Sequence, residues 1–225
     1  MPSFYILGQS NHGVSILLDC LHSLYPIGTL DVEIIANLPA EQNDSLPYAF
    51  ETPGIGTTVR FHTDWQPEEG VPCLMGSIGK GRKAIFDFFK QSFQIEEECY
   101  FNTIHPSSVV AVTARLGRGV HVSPLSVVSP FAHLGDFVIV NRNASVGHHT
   151  TLGNFVSVNP GANVAGVCNI SDHVTIGAGA TVIDRISIGE GSIIGAGSVV
   201  TRDIPAGVVA YGNPAKVIRE VGTRP

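Results

Sequence analysis

The sequence predicts two parts: a small, Rossmann-like α/β domain followed by an all-β solenoid of parallel strands. Three observations predict it. From Val110 to Val200 every sixth residue is Val, Leu or Ile, sixteen in succession. Residues 1–103 lack that period and open instead with an apolar run, a Gly-bounded turn and a helical pattern. Beyond Pro205 the segment Tyr211-Gly212-Asn213-Pro214-Ala215-Lys216 leaves the six-residue period, as a segment closing the open end of a stack would.

Ser3 to Leu7 is a short strand ending at Gly8. Gln9 to Gly13 form a turn, and Val14 to Leu24 carry Ile16, Leu17, Cys20, Leu21 and Leu24 at helical spacing. Strand, turn and helix open a βα nucleotide-binding unit, because backbone N–H groups at a helix N-terminus can hold a phosphate. The full Gly-x-Gly-x-x-Gly fingerprint is missing, so the turn alone serves structure as readily as ligand binding. Val32 to Ala36 is a second strand, residues 39–56 a loop, and Thr57 to His62 a third strand. Pro72 to Met75 is a fourth, closed by Gly76. Gly79 to Phe93 is helical, with Ile85, Phe86, Phe89 and Phe93 as its apolar stripe. Phe101 to Ile104 is a last strand, which places the domain boundary near residue 103.

The second part follows from the period. Amphipathic helices repeat every 3.6 residues and plain strands every 2, so an unbroken repeat of six belongs to neither. It fits short strands wound into stacked coils around one dry interior. The periodic residue points inward. The residue after it is often small, as at Gly117, Gly135, Gly147 and Gly177, and is expected to let the chain bend. Four places after the periodic residue come small or β-branched residues such as Ala132, Ala144, Thr150 and Ala180.

Composition narrows the function classes. Net charge is −6 and only 14% of residues are charged, so the basic footprint of a nucleic-acid binder is absent. Cys20, Cys73, Cys99 and Cys168 show no Cys-x-x-Cys spacing, which suits reduced thiols and a cytoplasmic location. No apolar run reaches transmembrane length, and the N-terminus does not read as a signal peptide.

Gly8-Gln9-Ser10-Asn11-His12-Gly13, the hexads and the terminal Gly-x-Pro-Ala-Lys together resemble one group of hexapeptide-repeat acyltransferases. These are the N-acetyltransferases of nucleotide-linked amino sugars and the related sialic acid O-acetyltransferases. The resemblance implies a left-handed parallel β-helix with three hexads per coil of 18 residues, hence about five coils stacked roughly 4.8 Å apart. It implies acetyl-CoA as cosubstrate, no metal, a small-molecule nucleotide sugar as acceptor, and a homotrimer with active sites between protomers. The first domain, residues 1–103, would bind the sugar nucleotide, and residues 104–225 would bind acetyl-CoA.

Site residues carry over one by one. His148 falls on the group's catalytic histidine; imidazole exchanges its proton near neutral pH, as a general base must. Gly166 lies 18 residues on, so its backbone N–H sits about one strand spacing from His148, where a thioester carbonyl could accept it. Asn141, in the same segment, is a further catalytic candidate. Ser157, Gly166, Ala178 and Ala196 match positions along the CoA arm, and Ala178 and Ala196 are one coil apart. Ser10, Asn11 and His12 match the phosphate-binding turn, and Gly76 a glycine against the sugar nucleotide.

The chain departs from the group twice. Its base-binding acidic pair is replaced by Ala36 and Asn37, and Asn37 can still hydrogen-bond a base. The acid that usually follows the catalytic histidine is replaced by His149, expected to be a surface residue. The chemistry expected is therefore acetyl transfer to a sugar amine, with a sugar hydroxyl as the alternative acceptor. Two other classes use a solenoid: a γ-carbonic-anhydrase-like metal hydratase and a non-catalytic binder. The hydratase needs convergent histidines, whereas His121, His133, His148 and His173 occupy four different places in the 18-residue coil.

Overall fold

The structure, a computed structural model, describes residues 3–37, 51–79 and 81–223. The chain divides into two compact units, Met1–Thr103 and Ile104–Pro225.

The first unit is a parallel sheet of four strands with two helices. Its strands are β1 (Phe4–Leu7), β2 (Leu30–Ala36), β3 (Ile55–Phe61) and β4 (Cys73–Met75), in the order β3-β2-β1-β4. Helix α1 (Asn11–Leu24) lays Val14, Leu17, Leu18 and Leu21 onto Ile6, Ile34 and Leu74. Helix α2 (Arg82–Phe93) buries Phe86 and Phe89. Fully burying an aliphatic or aromatic side chain stabilises by about 1.5–3 kcal/mol, so these contacts hold the sheet and its strand ends together.

Four boundaries differ from the sequence reading. α1 begins at Asn11 because Ser10, in extended conformation at φ −107°, accepts from the Gly13 N–H at 3.4 Å and caps the first turn. Apolar spacing is blind to that polar turn. Ile55 and Gly56, expected in a loop, pair with Leu30 and Asp31; residues 39–50 of that loop lie outside the described residues. α2 starts at Arg82 rather than Gly79, and the strand expected over 101–104 is confined to Thr103–Ile104.

The second unit is a left-handed parallel β-helix. Each hexad contributes a two-residue strand, and strands 18 residues apart pair in register, as Ser145–Val146 does with Asn163–Val164. Three flat faces result. Ser145–Val146 lies on the first, Thr151–Leu152 on the second and Ser157–Val158 on the third. From Val122 to Val200 the periodic residues are all buried and form one continuous core with Ala132, Ala144, Ala162 and Ala180. Where the small inward place is polar, its hydroxyl is satisfied. Thr150 donates to the Ala165 carbonyl at 2.7 Å and accepts from the Cys168 N–H at 3.1 Å. After Pro205 the chain forms an antiparallel hairpin, Val208–Gly212 with Ala215–Glu220. Its first strand continues the third face beside Ile193–Ile194, with Val208 and Ala210 in the core, and so closes the last coil.

The bend falls elsewhere than expected. It is made three places after the inward residue, where φ is positive in hexad after hexad, by Leu125, Phe131, Asn143, His149, Val167 and Arg185 as well as by glycines. The left-handed conformation costs a non-glycine residue about 1–2 kcal/mol. A coil-to-coil hydrogen bond from the same residue offsets that cost: His149 N–H donates to the Pro130 carbonyl at 3.1 Å, Val167 N–H to His148 at 2.9 Å. The small residue directly after the inward one has another purpose. A Cβ on Gly147 would lie 2.5 Å from the Gly166 nitrogen in the next coil. Coil stacking, not backbone freedom, requires glycine there.

Candidate functional site

Two places collect the chemistry. In the first unit, Gly8, Asn37 and Gly76 follow the carboxyl ends of β1, β2 and β4. β2 lies on one side of β1 and β4 on the other, so the crevice after β1 is the switch point at which parallel sheets take ligands. The turn is tightly built. Ser10 N–H donates to the Gly76 carbonyl at 3.0 Å, and Gly76 N–H to Leu7 at 2.8 Å. A Cβ on Gly76 would stand 1.8 Å from the Gly8 oxygen, so only glycine fits. Asn11 is buried, with its Oδ1 accepting from Gln9 Nε2 at 3.2 Å, whereas His12 is exposed in the first turn of α1. Ser10, Asn11, His12 and Gly76 are therefore brought together around one helix N-terminus. Asn37, half-buried, ends the neighbouring strand.

In the β-helix, His148 and Gly166 meet at the corner between the first and second faces. Both stand two places after an inward residue and one coil apart. A Cβ on Gly166 would lie 2.7 Å from His148 Cε1 and Nε2 and 3.1 Å from Cδ2. The imidazole thus rests on the bare Cα of Gly166, with Nε2 at the Gly166 end. The glycine carbonyl accepts from Arg185 N–H at 3.0 Å, while its own N–H has no acceptor among the described residues. One exposed imidazole and one free backbone donor therefore stand about a strand spacing apart, as a base and an oxyanion donor must.

The other candidates occupy the corner between the third and first faces. Asn141 starts it in one coil and turns its Oδ1 to the Arg142 N–H at 2.9 Å. Ala178 and Ala196 are exposed at the same corner in later coils, each followed by a glycine in left-handed conformation. Neither alanine N–H has an acceptor among the described residues. The result is a smooth strip with open backbone donors, which fits an extended chain carrying amides. Ser157 lies on the strand leading into this corner. Within one chain, Asn141, Ala178 and Ala196 do not stand beside His148.

Two arrangements were missed. His149 is exposed, as expected, but it is not idle: its Nδ1 lies 3.1 Å from His148 Nδ1, and its ring packs against Phe131, one coil earlier, at 4.9 Å. At the remaining corner a polar ladder joins coils: Asp136 accepts from the Arg118 N–H at 2.7 Å, Asn154 from Asp136 at 2.8 Å and Asp172 from Asn154 at 2.8 Å. Stepping by 18 from each non-inward place would have found both. Two further histidines of the repeat are engaged elsewhere. His121 Nε2 meets Ser123 Oγ at 2.9 Å, and His173 stacks on Phe155 at 5.3 Å. Among the described residues no three His, Cys, Asp or Glu side chains gather as metal ligands would, and no helix is long and apolar enough to cross a membrane.

Residues 167–202 match the family described as bacterial transferase hexapeptide (six repeats). No curated protein matches the sequence. The acetyltransferase domain of PglB from Neisseria gonorrhoeae FA1090 shares 27% identity and a TM-score of 0.77, over 96% of this chain and 98% of that one. A mutant perosamine N-acetyltransferase from Caulobacter crescentus, in complex with CoA and GDP-perosamine, shares 24% identity and a TM-score of 0.75 over 98% of both chains. WeeI from Acinetobacter baumannii AYE shares 21% identity and a TM-score of 0.77, over 96% of this chain and 99% of that one. All three likenesses span both units.

Proposed function

We propose that this chain, a hexapeptide-repeat protein with a left-handed β-helix, is an acetyl-CoA-dependent sugar N-acetyltransferase. It moves the acetyl group of acetyl-CoA to the amino group of a nucleotide-linked amino sugar. The observation that carries the reading is the His148 imidazole resting on Gly166, a glycine whose N–H has no acceptor among the described residues. The solved relative holding CoA and GDP-perosamine supports the substrate class, and the 27% identical PglB domain supports the acetyl transfer.

The chemistry follows from those groups. The sugar amine attacks the thioester carbonyl carbon as His148 Nε2 takes its proton. The negative charge developing on the carbonyl oxygen is met by the Gly166 N–H. Collapse breaks the C–S bond, the thiolate of CoA leaves, and the proton held by His148 passes to it. General-base assistance of this kind is worth about 10²–10⁴ in rate, and a well-placed oxyanion donor about 10²–10³. Ser10, Asn11 and His12 at the α1 N-terminus, with Gly76, hold the acceptor's phosphates, and Asn37 meets its base. The strip through Ala178 and Ala196, entered past Ser157, takes the pantetheine arm.

That strip and His148 lie at different corners of one chain. The flat faces of the solenoid allow three copies to pack so that one protomer's alanine strip and Asn141 meet its neighbour's His148. The active unit in this reading is a homotrimer with its sites between protomers. The test is a screen of nucleotide-linked amino sugars, and of hydroxyl analogues, with acetyl-CoA, read by product mass. Product heavier by one acetyl group from an amino acceptor, with matching thiol release, is expected. Acetylation of the hydroxyl analogues alone would move the assignment to O-acetyl transfer, and no product from any acceptor would remove it.

A further inference from the structure

The usual carboxylate beside the catalytic histidine is absent, and the structure shows what occupies its place. His148 has two ring nitrogens. Nε2 lies at the Gly166 end, so a proton is taken there only if Nε2 carries a lone pair. Nδ1 must then carry the ring hydrogen and needs an acceptor. The group 3.1 Å away is His149 Nδ1. A neutral His149 with its hydrogen on Nε2 offers an Nδ1 lone pair there.

His149 is itself held on two sides. It occupies the left-handed bend of its hexad at φ 58°, fixed by its N–H to the Pro130 carbonyl. Its ring lies against Phe131 with centroids 4.9 Å apart and planes inclined by 31°. The His148 ring stands nearly perpendicular to it, at 84°. We infer that His149, braced by Phe131, is a positioning residue that holds His148 in the tautomer with hydrogen on Nδ1. A neutral imidazole thereby does the orienting work of a carboxylate without adding negative charge. As His148 accepts the amine proton, the bond to His149 becomes a charge-assisted N–H···N bond and strengthens where the reaction needs it. The inference rests on the acetyl-transfer reading for its kinetic consequence and on the geometry alone for its tautomer.

The test uses two substitutions at His149 that the fold already accepts at this hexad place. Leu125 and Asn143 occupy the same bend in other hexads at φ 60° and 56°. His149→Leu keeps the bend and the contact with Phe131 but offers no acceptor. His149→Asn keeps the bend and supplies an amide oxygen. The ring nitrogens of His148 are read by nitrogen-15 NMR in the full-length, substrate-free protein, assigned by loss of signal in His148→Ala. Wild type and His149→Asn should show hydrogen on Nδ1, and His149→Leu a mixture in which Nε2 carries it. Loss of one neutral hydrogen bond should lower kcat about five- to tenfold in His149→Leu. KM for acetyl-CoA should be unchanged, and His149→Asn should restore most of the rate. An unaltered tautomer in His149→Leu overturns the inference, as does a changed tautomer with undiminished kcat. The NMR arm does not depend on turnover, so failure to acetylate any sugar would count against the proposed function and leave the tautomer to be decided separately.

Discussion

Replacing Gly166 by alanine separates catalysis from folding at a single atom. The new Cβ would lie 2.7 Å from His148 Cε1 and Nε2. Comfortable carbon contacts begin at about 3.5–4.0 Å, so the imidazole must retreat by about 1 Å. It can do so, because the ring is exposed and ends a flexible side chain. Gly166 is outside the left-handed region, so alanine fits its backbone, and restricting the unfolded chain should stabilise by about 0.4–1 kcal/mol. A displacement of about 1 Å at the reacting geometry can cost about 10² in rate. The expected variant therefore melts no lower than wild type, binds acetyl-CoA, and has kcat lower by about 10². Thermal melting and acceptor-dependent thiol release measure both. Added to His148→Ala, the change should cost nothing more, because both act through one ring. Wild-type kcat in Gly166→Ala would refute the pose of His148 on which the mechanism depends.

Three further outcomes are expected. Ala196→Trp, at an exposed corner, should leave the melting temperature intact and weaken acetyl-CoA binding by about tenfold or more, by filling the strip it shares with Ala178; unchanged affinity would place the arm elsewhere. His12→Ala should weaken acceptor binding by about tenfold, the scale of a hydrogen bond to a charged group, and leave acetyl-CoA binding unaltered; equal loss for both ligands would remove the acceptor from the α1 N-terminus. Thiol titration of the native protein near neutral pH should find only Cys99 promptly reactive. Burial pushes the Cys20 and Cys73 thiols up to about 12 and also raises Cys168, so all three stay protonated and unreactive, while Cys99 is exposed; prompt reaction of a second thiol would show that the burial is wrong.

The sequence was most legible where burial dictates residue type. The inward place of each hexad tolerates only apolar side chains, so the period of six and the coil of 18 could be read directly, and with them the pairing of His148 with Gly166. The bend was illegible because it is enforced from outside the residue. Phe131, Val167 and Arg185 share no propensity for a left-handed φ, and it is the stacked coil that holds them there through hydrogen bonds to the coil before. Glycines 117, 147 and 177 look like hinges in the sequence, whereas their role is clearance between coils. The contact of His149 is hidden for a related reason: its partner Phe131 is 18 residues away at a place with no residue-type rule. In the first unit, the start of α1 was hidden by its polar capping turn, and Ile55 joined a strand only because Leu30 pairs with it.

The most direct measurement of the central claim is the rate of His148→Ala with acetyl-CoA and an amino-sugar nucleotide that the wild type turns over. The His148 ring rests on Gly166 and supports no part of the core, so fold and acetyl-CoA affinity should be retained. kcat should fall by at least about 10², the lower bound for removing a general base. Full activity in His148→Ala across the pH range would contradict the account, because the amine would then arrive already deprotonated and the chain would contribute only proximity and the Gly166 donor.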